Sequence, residues 1–286
     1  MSMKGEMLGR GRTAEIFAWG EGKAIKVFHL DVPLGVIELE FSKSRAINRA
    51  GIPSAHVFEI VQVEGKPAII CERIVGETAL QRFVSSPGSM LSCVKAGAEL
   101  HARIHKYQVM ELPPFAPELE KAIRTAPVPV AMREAAMRAF RRLPDGNSVC
   151  HGDFHADNVI FADRGAIALD WSSCARGNPY ADVAFTALSF QLSRVPPGTK
   201  NSPVIEIGRE AARVAYLEGY YKLDRRARNQ VEGWMLPLAV AFTNDDVRVD
   251  THRAFDLIRL LMIRERVEQK VRSTLARSRL LLGVRP

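Results

Sequence analysis

The chain has 286 residues, of which 47% are hydrophobic and 25% are charged, and this composition is ordinary for a globular protein with a sizeable core. Four widely spaced cysteines, no apolar window of about 18 residues and no signal-peptide pattern predict a cytoplasmic protein with reduced thiols and no membrane span. The formal net charge of +8 suggests a nucleic-acid partner, but much of the excess lies in a C-terminal stretch that we expect to be a solvated helix face, so we expect none.

The N-terminal third of the chain has the pattern of β-strands. Apolar and polar residues alternate between glycine-rich breaks, as in EIFAWGEGKAIKVF, and one segment of helical periodicity interrupts them. The predicted elements are a glycine-bearing loop, strands near Ile16–Trp19 and Ala24–Phe28, a helix over 36–50 that stops at Gly51, and a hairpin that turns at 64–66.

The remainder of the chain is mostly helical in pattern. Helical periodicity covers 90–107, stretches of 117–143 and nearly everything after residue 185, whereas 151–173 predicts two short strands that turn at 163–165. The last helix is expected to pack on its lobe through apolar residues at helical spacing, which are Phe255, Ile258, Met262, Val271 and Leu275. The sequence therefore predicts an α+β protein with a small β-rich lobe, residues 1–75, and a larger α-helical lobe, residues 76–286.

Three polar residues in the segment HGDFHADNVIFADRGAIALDW carry the chemistry. Asp153 is followed by Asn158 and then by Asp170, and all three lie beside apolar runs. Buried carboxylates are costly unless they are paired or bind a cation. Carboxylate and amide oxygens suit Mg²⁺, so Asn158 and Asp170 are the predicted metal ligands and Asp153 remains as a base. This spacing matches the scheme of protein kinases.

The N-terminal lobe is then expected to hold the nucleotide. Gly9 and Gly11 supply two glycines of a phosphate-covering loop, with Ala14 in the place of a third. Lys26, one strand later, is placed to reach the nucleotide phosphates, and Glu40 on the following helix is its predicted partner. Glu38 lies two residues away on a helix and cannot share that face.

The motifs HGDFHADN, ALDW and GNPYADV together resemble those of the aminoglycoside phosphotransferase and choline-kinase-like family. Members of that family have similar sequences at the positions of AIKVF, ICERIVGE and AGAELHARIH. The resemblance implies a protein-kinase-like two-lobe fold with the active site in the cleft, Mg²⁺, and ATP as donor, with GTP left open. The roles that it implies are the catalytic aspartate for Asp153, magnesium ligation for Asn158 and Asp170, a phosphate-orienting pair for Lys26 and Glu40, backbone contact with adenine for Glu72 to Ile74, support of the loop for His151, and a brace for Asp182.

The acceptor is expected to be a small molecule with a hydroxyl group, such as an aminoglycoside, an amino alcohol or a sugar. Protein kinases need a long segment ending in Ala-Pro-Glu to dock polypeptides, and only WSSCAR separates Asp170 from Gly177. By analogy with the family, acids of the C-terminal lobe would contact a cationic acceptor, and Asp245 and Asp246 are the candidates. The oligomeric state is left open.

Two alternatives remain at this point. His151, Asp153 and His155 alternate along the chain and could ligate zinc in a metallohydrolase, although no further histidine or cysteine cluster completes the shell. Alternatively, the chain could bind a nucleotide without turnover, an alternative that the missing third glycine at Ala14 keeps open.

Overall fold

A computed structural model describes residues 4–194, 202–245 and 248–281 of the chain. An antiparallel sheet with one helix comes first, and a mainly helical region follows. The strands are β1 (Met7–Arg10), β2 (Ala14–Ala18), β3 (Lys23–Phe28), β4 (Val57–Val63), β5 (Lys66–Glu72), β6 (Glu77–Thr78), β7 (Ser148–Cys150), β8 (Val159–Ala162), β9 (Gly165–Ala168) and β10 (Ala175–Gly177). The helices are α1 (Leu34–Arg49), α2 (Ala79–Ser85), α3 (Met90–Ile104), α4 (Phe115–Thr125), α5 (Val130–Phe140), α6 (Pro179–Leu192), α7 (Ser202–Leu223), α8 (Ala227–Phe242) and α9 (Thr251–Leu281).

The first sheet has five strands in the order β1-β2-β3-β5-β4, and every pair is antiparallel. Because side chains alternate along a strand, Ile25 and Val27 of β3 join one apolar cluster, while Phe28 joins another with Ile37 of α1. Helix α1 therefore covers the face of the sheet that carries Phe28. The predicted strands, helix and hairpin of this lobe are confirmed. The predicted glycine-bearing loop is in part strand, because Gly9 pairs with Ile16.

Strands β8 and β9 form the predicted second hairpin, and β6 pairs with β8 to complete a three-stranded sheet. Ala162 pairs with Gly165, so the turn lies where the sequence predicts it. Gly76, just before β6, approaches β8 so closely that a Cβ there would lie 2.2 Å from the carbonyl oxygen of Phe161. The predicted boundary between residues 75 and 76 falls between β5 and β6, and it stays a prediction.

The helical region has one large apolar core. Helix α6 packs against α7 and α8, and α8 packs in turn against α4, α5 and α9. Ile258 of α9 is fully buried in this core, and Phe255 and Met262 pack against it as predicted, while the side chains of Val271 and Leu275 lie outside the described residues. None of the four cysteines forms a disulfide. Within the described ranges, no helix is both long enough and apolar enough to cross a membrane.

Candidate active site

Lys26 and Glu40 meet because of the strand and helix periods. Lys26 lies two residues before Phe28 on β3 and therefore shares its face, and Glu40 lies one turn after Ile37 on the helix that covers this face. The Lys26 Nζ donates to Glu40 Oε1 at 2.6 Å, and both side chains are largely buried. Burial acts to lower the pKa of Lys26, but the carboxylates of Asp170 and Glu40 outweigh it and raise that pKa. The lysine is therefore held as a cation.

Asp170 brings the second hairpin to this lysine. It follows β9, and its Oδ1 lies 3.4 Å from Lys26 Nζ and 3.4 Å from the backbone N–H of Ser172. Its φ of 56° lies in the left-handed region, which is uncommon for a residue other than glycine. Burial acts to raise the pKa of Asp170, but Lys26 and the hydrogen bonds from Ser172 lower it below the usual value. Asp170 is therefore held as a carboxylate, and its side chain is partly exposed to solvent.

Asn158 lies beside Asp170 because of the hairpin register. Val159 pairs with Ala168, so the residues just outside this pair, Asn158 and Leu169, emerge at the same end, where the Leu169 N–H donates to the Asn158 carbonyl at 2.8 Å. The Asn158 Nδ2 donates to the backbone oxygen of Asp153 at 2.9 Å. The amide nitrogen is thus used within the loop, and the amide oxygen is the atom of this side chain suited to a cation.

His151 opens the loop and is completely buried. Its Nε2 donates to the carbonyl of Leu169 at 2.9 Å, and its Nδ1 accepts the N–H of Asp153 at 3.3 Å. Burial lowers the pKa of His151, in keeping with a neutral ring. Because both ring nitrogens are engaged, His151 ties the loop to the strand end and does not offer the zinc ligand that a metallohydrolase needs.

Asp182 of α6 lies beneath the loop. Its Oδ1 accepts the N–H of Gly152 at 3.0 Å, and its Oδ2 accepts the N–H of His151. His101 of α3 and His105, which caps the C-terminus of that helix one turn later, donate from Nε2 to the same Oδ2 at 2.9 and 3.2 Å. Burial acts to raise the pKa of Asp182, but the two histidines hold it well below its usual value. The buried acid is thus a carboxylate with donors on both oxygens.

The outer side of each histidine is also occupied. Tyr216 and Tyr220 of α7 lie one turn apart, and their hydroxyls lie 2.6 Å from Nδ1 of His101 and His105, respectively. The two histidines and Asp182 form the one cluster of potential metal ligands found among the described residues, with ligand atoms within 4.8 Å of one another. Since each ring already uses both nitrogens, the cluster is a hydrogen-bonded brace that connects α3, α6 and α7 to the loop.

Asp153 lies beside a histidine and an arginine. Its Oδ2 lies 3.6 Å from His155 Nε2 and 3.7 Å from a guanidinium nitrogen of Arg248. Burial acts to raise the pKa of Asp153, but His155, His151 and Arg248 together lower it. Burial likewise acts to lower the pKa of His155, and the Asp153 carboxylate raises it above its usual value.

Asp245 lies next to Arg248 and to an arginine of the N-terminal lobe. Its Oδ2 lies 3.4 Å from Arg12 of the glycine-bearing turn and 3.7 Å from Nε of Arg248. Asp246 lies outside the described residues. The proposed contact of these two acids with an acceptor stays a prediction.

The other predicted nucleotide contacts line the sheet. Gly9 lies within β1, and the N–H of Gly11 donates to the carbonyl of Ala14 at 2.8 Å to close the turn before β2. Ala14 is buried against the sheet, so this position packs in the core rather than in the turn. Glu72 ends β5 and pairs with Arg164 at 2.8 Å, and Ile74 follows, half-buried. The adenine contact of Glu72 to Ile74 stays a prediction.

The resemblance implied a bracing role for Asp182, but sequence reasoning missed the histidines and tyrosines of this brace, and it missed Arg248. His101 and His105, like Tyr216 and Tyr220, are spaced i, i+4, which places each pair on one helix face, and this spacing is a signal that could have found them. Arg248 carries no such signal, because an arginine in a basic stretch is usually solvated.

Comparison with known families gives a match over most of the chain. The model of the phosphotransferase enzyme family matches residues 18–234. Acyl-CoA dehydrogenase family member 10 of Mus musculus is 26% identical over 217 residues, which are 65% of this chain and 20% of that protein. Acyl-CoA dehydrogenase family member 11 of Pongo abelii is 26% identical over 118 residues, which are 39% of this chain and 15% of that protein. The chain thus spans a fifth or less of the length of these curated relatives.

Solved structures with the same fold are aminoglycoside phosphotransferases. The ternary complex of a thermostable mutant of APH(4)-Ia with ADP and hygromycin B has a TM-score of 0.60 and 16% identity, and the match covers 91% of this chain and 90% of that one. Aminoglycoside-3'-phosphotransferase of type VIII has a TM-score of 0.59 and 17% identity, with 83% and 92% covered. This likeness shows the predicted protein-kinase-like two-lobe fold.

Proposed function

Because the chain belongs to the phosphotransferase enzyme family, and is thereby a small-molecule kinase, we propose that it transfers the γ-phosphoryl group of ATP to a hydroxyl of a small acceptor. One observation carries the proposal. Lys26 Nζ contacts both Glu40 and Asp170, so residues from the sheet, from α1 and from the second hairpin meet at one point, as the kinase scheme requires.

Lys26 is the proposed ligand of the nucleotide phosphates. The raised pKa of the lysine keeps it cationic, and Glu40 fixes its position at 2.6 Å, so little reorganisation is needed when phosphates arrive. The turn at Gly11 would cover the phosphates, and the backbone of Glu72 to Ile74 would face the adenine. The solved relative with ADP supports a nucleotide in this cleft.

The donor set of the loop fits Mg²⁺. Asp170 offers a carboxylate with a lowered pKa, and Asn158 offers an amide oxygen. Both donor atoms are therefore oxygens, the ligand type that Mg²⁺ prefers. Two oxygen ligands are a typical protein contribution for magnesium, which takes the rest of its shell from phosphates and water. Bound at these residues, Mg²⁺ would neutralise charge on the phosphates.

Asp153 is the proposed base. The acceptor oxygen would attack the γ-phosphorus, the bond from that phosphorus to the β–γ bridging oxygen would break, and the hydroxyl proton would pass to the Asp153 carboxylate. The lowered pKa of Asp153 keeps it ionised before the reaction. Gly152, whose N–H is held by Asp182, and Asn158, which donates to the Asp153 carbonyl, fix the loop on either side.

The chain favours a small acceptor over a polypeptide. Six residues separate Asp170 from Gly177, and the last of them already pair in β10 with β7. A docking segment of the protein-kinase type has no room between these two elements.

The test is phosphoryl transfer by the purified protein to a panel of aminoglycosides, amino alcohols, sugars and hydroxy acids, followed by ³¹P NMR with Mg·ATP. We expect D153N to lower kcat by about 10²–10⁴-fold while Mg·ADP still binds, because the base is lost but the nucleotide site is intact. D163N, in the exposed turn of the hairpin, is the matched control and should keep the wild-type rate. Binding of Mg·ADP without any transfer would instead support the alternative of a nucleotide-binding protein.

The metal assignment has its own measurement. N158A should raise the Mg²⁺ concentration for half-maximal rate by about tenfold, because an oxygen ligand is removed. N147A, at an exposed asparagine before β7, should leave it unchanged.

A further inference from the structure

Arg248 lies beside the proposed base. Its guanidinium lies 3.7 Å from Asp153 Oδ2, and its side chain is 47% exposed, so a ligand in the cleft could reach it. Arginine binds carboxylates and phosphates through a planar fork of N–H groups. Arg248 therefore offers an anion-binding group close enough to Asp153 for one small molecule to contact both side chains.

The backbone of Arg248 is fixed by the fold. Its N–H donates to Asp245 Oδ1 at 3.1 Å, and its carbonyl accepts the N–H of Arg194 at 2.6 Å. The next residue, Val249, forms an antiparallel bridge with Ser193 at the end of α6. The segment between α8 and α9 is thus tied to α6, the helix that also carries Asp182. Arg248 is consequently linked to the helix that supports the loop carrying Asp153.

Two acids near Asp153 already have cationic partners. Asp245 lies between Arg12 and Arg248, and Asp170 contacts Lys26. An ammonium group entering beside Asp153 would meet Arg248 at close range. Two like charges at close range repel, and the repulsion grows as water is excluded from between them. A polycationic acceptor is therefore poorly matched to these residues.

We propose that Arg248 binds an anionic group of the acceptor, a carboxylate or a phosphate close to the hydroxyl that is phosphorylated. This inference rests on the proposed function and names its substrate class. The acceptor anion would replace the Asp153 carboxylate as the partner of the guanidinium, which leaves that carboxylate to receive the hydroxyl proton. In this arrangement Asp245 holds Arg248 in place instead of contacting a cationic acceptor.

The test compares probes that share a three-carbon diol skeleton but differ in charge: glycerate, glycerol 1-phosphate, glycerol and 3-aminopropane-1,2-diol. Each is titrated by calorimetry into the 286-residue protein saturated with Mg·ADP. We expect one or both anionic probes to bind at least about tenfold more tightly than the neutral and cationic ones, with R248Q removing that preference. The two anionic arms separate a carboxylate from a phosphate as the recognised group.

R259Q, at an exposed arginine of α9, is the control and should retain the preference of the wild type. The inference is overturned if the amine binds as tightly as the anions, if neither anion binds, or if R248Q keeps the preference. The phosphoryl-transfer panel is measured separately, so transfer to aminoglycosides alone would overturn this inference while supporting the proposed function. Anion binding that depends on Arg248, without phosphoryl transfer to any acceptor, would support an anion site at Arg248 and contradict the proposed function.

Discussion

The carboxylate of Asp182 accepts the backbone N–H of His151, so a buried acid on α6 holds the first residue of the loop that carries Asp153. The same carboxylate accepts N–H groups from Gly152, His101 and His105. Loop position, α3 and α6 are therefore coupled through one side chain, and a change there affects both stability and the geometry around the proposed base.

D182N should lower the free energy of unfolding by about 3 kcal/mol, because an amide turns an N–H group toward donors that a carboxylate satisfied. Urea unfolding measures this loss. D256N, at an exposed acid of α9 that pairs with Arg259, should change stability by less than about 1 kcal/mol. A D182N protein as stable as D256N would show that the brace contributes little.

Stability should fall as the pH is lowered from about 6.5 to 4. Burial lowers the pKa of His101 from 6.5 to about 4, so over this range the unfolded chain binds a proton that the folded protein does not. Each unit by which the folded and unfolded pKa values differ corresponds to about 1.4 kcal/mol, so the free energy of unfolding falls by about 3 kcal/mol across this range. Below about pH 4 the lowered pKa of Asp182 adds a further loss, since the carboxylate then binds a proton in the unfolded chain but not in the folded protein.

Unfolding in urea at several pH values tests this dependence. H101Q should be less stable at pH 7 and less sensitive to pH between 4 and 6.5, because the titrating ring is gone. H252Q, at an exposed histidine of α9, should follow the wild type. Parallel curves for wild type and H101Q would assign the pH dependence to other groups.

The sequence predicted the parts of the site that lie close together along the chain or depend on a simple period. Asp153 and Asn158 lie just before β8 and Asp170 lies just after β9, so the turn of one hairpin returns the chain to the same end. Lys26 and Glu40 meet because one shares a strand face with Phe28 and the other shares a helix face with Ile37. The kinase-like fold followed from motifs of this kind and is confirmed.

The parts that depend on tertiary packing could not be predicted in the same way. Arg248 reaches Asp153 only because the segment before α9 bonds to Arg194 at the end of α6. The short strands β7 and β10 have three residues each, too few to show a period, and their pairing depends on the surrounding helices. Local pattern carries no information on such long-range contacts.

E40Q should raise the KM for ATP about tenfold, because Lys26 loses the charged partner that fixes it at 2.6 Å. Steady-state kinetics with varied ATP measures the change. E38Q lies on the same helix at an exposed position and makes the same chemical change, so it should leave KM unaltered. Equal effects of the two variants would contradict the assigned pairing.

G152A should be among the most damaging small substitutions in the chain. Gly152 has a φ of 77°, and a Cβ there would lie 2.5 Å from the carbonyl oxygen of Ser173. G165A separates the two causes, because Gly165 has a φ of 104° but no atom within 4 Å of the added Cβ. Backbone strain alone predicts a loss of about 1–2 kcal/mol for G165A, and the clash predicts at least about 2 kcal/mol more for G152A, measured by urea unfolding. G152A should also reduce phosphoryl transfer, since the clash moves the residue before Asp153; equal stabilities of the two variants would mean that the loop and Ser173 separate without cost.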